Sequence, residues 1–208
     1  MSPVFGAMFL WTSTAILWWS GWREEAAEDI PERAVAIYLA GWPFAVRFNP
    51  HISPSLTING AMIWTVAAVT ALAFRLDSSR RWAAVSAGVL LGAVHLLLNR
   101  VADFPSGMAA YYPSWAGAVL IGGLAGVFLR NAPEQIMTIS TALFIGEIVG
   151  TFARSAWEPL IWGESSQWLE GWWIAVIFAR LWSVSVRILA SQARKRGWKA
   201  GLRGGEQR

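Results

Sequence analysis

Apolar residues along this chain fall into blocks divided by short polar or charged connectors, and seven of the blocks read as helices able to cross a bilayer. The first is Pro3–Trp19, closed by a collar of Trp18, Trp19 and Trp22. The second, Ile30–Phe48, has a short uncharged core containing Pro43. It reaches membrane length only with Glu32 and Arg33 snorkelling outward, and a re-entrant or interfacial segment is the alternative. The third to sixth are predicted over Leu56–Phe74, Trp82–Leu98, Met108–Leu129 and Ile136–Phe152, with Pro113 tolerated in the first turn of the fifth. The stretch 153–170 sets Trp157, Trp162 and Trp168 beside Glu158, Glu164 and Glu170, the pattern of a segment lying at the membrane surface. The seventh span is Gly171–Ala190, with Arg180 near its middle.

The connectors assign an orientation. With the N-terminus outside and the C-terminus inside, thirteen Lys and Arg lie on the inner side and three, Arg47, Arg100 and Arg154, on the outer. If the second block does not cross, Arg23 and Arg33 change sides and the contrast shrinks to eleven against five, so seven spans fit better. The expected organisation is a helical bundle over 1–190 and a basic cytoplasmic tail over 191–208. The N-terminus has no positive region before its apolar run and is read as a first span, not a removable signal.

Composition agrees: 55% of residues are hydrophobic and 14% charged, where a soluble domain carries roughly 25% charge. The basic excess does not point to nucleic acid, because seven of the 17 Lys and Arg lie in the last 22 residues, directly after a spanning block. That tail is suited to anionic lipid. There is no cysteine, which excludes disulfides, thiolate catalysis and cysteine-based metal sites, and the only histidines, His51 and His95, are far apart in sequence.

Three consecutive spans carry glycines four apart: Gly88 and Gly92, Gly122 and Gly126, Gly146 and Gly150. Such pairs share one helix face and let backbones approach closely, so spans four to six are expected to form a close-packed subcore, or one face a homodimer contact. The deepest charges are Glu147 and Arg180. Counted from the predicted boundaries they lie about 8 Å and about 14 Å below the outer surface at 1.5 Å per residue. On adjacent antiparallel helices they come within reach of each other, as a polar site or as an ion pair fastening span six to span seven. Arg154, seven residues after Glu147, is an alternative partner for it. His95, near the outer end of span four, is a candidate proton relay or an interface-facing ring. Glu24, Glu28 and Glu32 form one stripe if helical, either a solvated face or a docking face for a basic partner or for the chain's own tail.

No lysine lies within a span, and GxSxG, HExxH and phosphate-loop signatures do not occur. The sequence implies no cofactor or metal. The opening, ILWWSGWREE followed by IPERAVAIYLAGWPF, resembles the start of the YphA-type integral membrane proteins of spore-forming Firmicutes, over about Ala15–Phe44. That resemblance implies a bacterial plasma-membrane protein and transfers no site residues. The expected function is a non-enzymatic membrane scaffold or assembly factor, with a membrane-protein partner or a second copy. The alternatives are a small transporter or channel subunit using Glu147 and Arg180, and an intramembrane enzyme.

Overall fold

The computed structural model describes residues 3–23, 27–53, 56–102, 113, 115–154, 160–162 and 166–205. Among them are seven helices: α1 (Pro3–Trp19), α2 (Glu32–Arg47), α3 (Gly60–Ala73), α4 (Ser78–Ala102), α5 (Ala116–Phe128), α6 (Ala132–Arg154) and α7 (Ser166–Gly205). Three short strands join them, β1 (His51–Ser53), β2 (Leu56–Ile58) and β3 (Leu160–Trp162). β2 is central in the sheet, antiparallel to β1 and parallel to β3, with Leu56 opposite Leu160 and Ile58 opposite Trp162.

Several boundaries differ from the sequence expectation. Leu56–Ile58, assigned above to the third span, forms β2, and α3 begins only after Asn59, whose side chain accepts the Ala61 N–H at 2.8 Å. Gly60 can start α3 there because its N–H donates to the Phe48 carbonyl at 2.7 Å; a Cβ would run into that carbonyl and into Ala45's. β3 falls in the stretch expected to lie at the surface, and α7 starts at Ser166 rather than Gly171. The chain expected to leave the bundle as a tail continues α7 to Gly205, giving a 40-residue helix about 60 Å long. Residues 103–112, in which the fifth span was expected to begin, lie outside the described residues.

Pro43 sits inside α2 and has no N–H to give the carbonyl four residues back. That carbonyl is Leu39's, and it accepts instead the indole N–H of Trp11 at 2.9 Å, which ties α1 to α2 at the proline. Trp11 also stacks on Trp42, ring centroids 6.3 Å apart.

Contacts between helices fix their directions. Tyr38 bonds Thr65 and Gly41 faces Trp64 while Gly60 faces Phe48, so α2 and α3 are antiparallel. Gly88 meets Thr138 and Thr141 and Gly92 meets Ala142 and Ile145, so α4 runs parallel to α6. Gly122 meets Ala175 and Gly126 meets Ala179, so α5 runs parallel to α7. Gly6 meets Glu170 and the residues just after α1 meet Arg180, so α1 also runs with α7. Trp172 donates to Ser140 at 2.9 Å and Arg180 to Gln135, so α6 opposes α7. Successive helices therefore alternate in direction. One end of the bundle carries the sheet; the other carries Arg80, Arg180 and Arg187.

The glycine pairs do not form the single subcore expected of spans four to six. They make two interfaces, α4 on α6 and α5 on α7, the second matching Gly122 and Gly126 against Ala175 and Ala179. Gly146 lies under the His95 ring, and Gly150 is half-buried.

The interior combines large apolar side chains such as Trp42, Leu39, Ile121 and Ile139 with small and polar ones, and large apolar side chains also cover much of the exterior. Ala84, Ala118, Ala125, Ala142, Thr138 and Ser140 are buried, whereas Phe9, Phe44, Leu90, Val127, Leu181 and Leu189 are exposed. Among the described residues, two helical stretches, Ser78–Asn99 and Trp168–Gln192, are long and apolar enough to cross a membrane.

Candidate functional site

Arg180 is buried on α7 with only 8% of its surface exposed. It stands fourteen residues after Ser166, about 21 Å along the helix. The predicted depth was smaller because α7 begins five residues before Gly171. Its Nη1 donates to Gln135 Oε1 at 3.1 Å. Gln135 is fully buried, and its Nε2 donates to the Leu129 carbonyl at 2.8 Å, one of the acceptors left over where α5 ends. That bond uses the amide's donor end and turns its oxygen toward Arg180.

The second partner of Arg180 is Glu28, in the connector between α1 and α2. Arg180 Nη2 reaches Glu28 Oε2 at 3.4 Å, and Glu28 Oε1 pairs with Arg187. Arg187 lies seven residues, about two turns, beyond Arg180 on the same face of α7. One carboxylate therefore stands between two guanidinium groups. The connector that delivers it turns at Gly21, φ +105°, and at Asp29, φ +59°, a conformation uncommon for a residue with a side chain.

Next to this cluster is a cavity of about 510 Å³ between α1, α2, α3 and α7, within the size range of small-molecule sites. Its walls are almost wholly apolar, with Trp18, Val35, Trp64, Leu72, Trp172 and Val176 among them. The exposed Leu17, Ile37 and Leu181 also line it, so it opens on the outer surface of the bundle. Polar character is confined to a few groups. Arg180 and the exposed Arg75 belong to the wall, as does the hydroxyl pair Tyr38–Thr65 at 3.0 Å. Tyr38, Trp42, Trp172 and Trp173 form a ring cluster on the sheet side, with centroid separations of 5.0 to 6.3 Å.

The sequence candidates divide between the two ends. Arg180 does not lie beside Glu147: Gln135, which it grips, precedes Glu147 by twelve residues on α6, about 18 Å of helix. Glu147 is half-buried and engaged in an interaction of its own. His95 packs over Gly146, the residue before Glu147, and its Nε2 lies 3.2 Å from the Asn99 amide nitrogen. Arg154 closes α6, but its side chain lies outside the described residues. Sequence reasoning missed Gln135, which was placed in a loop; Glu28 was read as part of a stripe either solvated or docking a basic partner or the chain's own tail, and its pairing with Arg187 corresponds to the last of these. The available signal was that Arg187 follows Arg180 at a spacing of seven and calls for an anion on that face.

Set against known proteins, the chain matches no family model, no curated protein and no solved structure. The cavity and its buried arginine thus carry the functional argument alone.

Proposed function

We propose that this chain is a multi-pass membrane protein, N-terminus outside and C-terminus inside, that acts as a small carrier for an amphiphile held in the cavity beside Arg180. The membrane part of the reading is supported by the many large apolar side chains on the exterior, and by the two helices of spanning length. Strict alternation of helix direction is what seven crossings require. α3 and α5, with 14 and 13 residues, cover only about 20 Å each, so the bilayer thins around them or their flanking segments complete the crossing. The resemblance of Ala15–Phe44 to the YphA-type proteins adds a bacterial plasma membrane.

The observation that carries the carrier reading is the cavity itself: about 510 Å³, apolar, open to the exterior, with a buried cation in its wall. Delipidated protein in detergent, titrated with oleoyl-lysophospholipid and read by native mass spectrometry, is expected to retain one molecule. Ala68→Trp, which projects an indole into the cavity wall, is expected to retain none. Equal retention by both proteins refutes the reading.

A further inference from the structure

We infer, on the basis of the carrier reading, that the cavity takes an anionic amphiphile, an apolar chain ending in a phosphate or carboxylate, whose head displaces Glu28 from Arg180. Three observations converge on this class. The walls offer an apolar chain Trp18, Val35, Trp64, Leu72 and Val176 and almost no hydrogen-bonding groups, which excludes a polar solute. Among the described residues, the charged members of the wall are Arg75 and Arg180, both positive, so the polar end favours a negative head. That end also already holds an anion of the chain's own, the Glu28 carboxylate shared between Arg180 and Arg187.

Glu28 is placed to be a replaceable occupant and not a permanent one. It comes from a connector, not from a helix facing Arg180, and its side chain is 23% exposed while Arg180's is 10%. Its contact with Arg180 is long, 3.4 Å, against 3.1 Å for the Gln135 contact. Gln135 is anchored to the end of α5 and holds the guanidinium in place whether or not Glu28 is present. When a ligand head takes the Nη2 side of Arg180, Glu28 keeps its bond to Arg187 and no charge is left unpaired. Empty, the two guanidinium groups share the Glu28 carboxylate; filled, the ligand supplies a second anion on the Arg180 side. A buried guanidinium thereby avoids the cost of standing without a counter-ion in either state.

The test titrates delipidated protein in detergent with oleoyl-lysophosphatidylglycerol and, separately, with oleoyl-lysophosphatidylcholine, read by native mass spectrometry. One charge-assisted contact predicts about tenfold preference for the anionic lipid. Glu28→Gln removes the competing carboxylate and is expected to tighten the anionic lipid severalfold while leaving the zwitterionic one unchanged. Arg180→Gln is expected to abolish the preference without abolishing binding of the chain. Should Arg180→Gln fail to fold, Glu28→Gln decides alone, since it changes one carboxylate oxygen to an amide nitrogen, at constant size, on a connector side chain. Equal affinity for the two lipids, with Ala68→Trp blocking both, overturns the headgroup assignment and leaves the carrier reading standing. Retention of neither lipid overturns both.

Discussion

Pro43 supplies a prediction in which two residues on different helices are coupled through one carbonyl. In α2 the Leu39 carbonyl loses its helical donor because residue 43 is proline, and Trp11 Nε1 fills the vacancy at 2.9 Å. Trp11→Phe keeps an aromatic ring against Trp42 but removes the donor, leaving a carbonyl unsatisfied inside the bundle. Leaving it without a partner is expected to cost about 1–2 kcal/mol, the range for a buried acceptor that loses its bond. Pro43→Ala restores an N–H at position 43, and the helix then satisfies Leu39 by itself. In that background Trp11→Phe should cost only its small loss of packing, about 0.5 kcal/mol or less. The coupling of about 1 kcal/mol is measurable by a double-mutant cycle on reversible unfolding in mixed detergent micelles, followed by far-UV circular dichroism. A Trp11→Phe cost that is the same with Pro43 and with Ala at 43 refutes the account, and Trp11 is then a packing residue only.

The other predictions concern packing, charge and topology. Gly122→Leu should cost about 3 kcal/mol in the same unfolding assay, because its side chain meets the Ala175 backbone, whereas Gly123→Ala should cost under about 1 kcal/mol, since its nearest neighbour is a Phe178 ring atom at 3.3 Å that can turn. Arg180→Ala should destabilise by about 2 kcal/mol through loss of the Gln135 bond, an effect that Glu28→Gln alone should not reproduce. The chain has no cysteine, so single cysteines at the exposed positions Arg33, Asn49 and Gln192 report sidedness directly. Membrane-impermeant maleimide on intact cells should label position 49 and spare 33 and 192; labelling at 33 overturns the seven-span topology.

The helices were legible in the sequence because each apolar block is longer than a strand needs, and block edges carry charges that cannot go deep. What the pattern cannot express is which helix a face meets. Gly122 and Gly126 announce a close approach, but the motif is equally satisfied by α6 and by α7; the choice fell to α7 because Ala175 and Ala179 present a matching small-residue face. Leu56–Ile58 was absorbed into a span because three residues, Leu-Thr-Ile, are too few to show a period, and only pairing with its neighbours makes them a strand. Arg180 was placed near Glu147 by counting from a predicted boundary. Five extra residues at the start of α7, together with the register that sets Trp172 against Ser140, moved it to the far end of α6. Depth in a bundle is a property of register, and register is set by packing that a single sequence does not display.

The separation of the two polar groups bears on mechanism. His95, Asn99 and Glu147 lie toward the sheet end, and Arg180, Gln135 and Glu28 toward the other. Between them stand Tyr38, Trp42, Trp172 and Trp173, packed edge to face and stacked against the buried Leu39 and Ile139. Two of the hydrogen-bonding groups in that layer are satisfied locally, Trp172 on Ser140 and Tyr38 with Thr65, while the buried Trp173 indole N–H has no hydrogen-bond partner among the described residues. A channel for ions needs polar groups or water along its whole length; this aromatic layer instead divides the described interior into two polar regions. An amphiphile needs no such path. It needs an apolar wall reached from the side and one charge at the end, and Leu17, Ile37 and Leu181 at the mouth with Arg180 within supply both. On the proposed carrier reading the same layer is the floor under the amphiphile's apolar chain, so replacing Trp173 with a polar residue should weaken amphiphile retention without producing ion flux in liposomes.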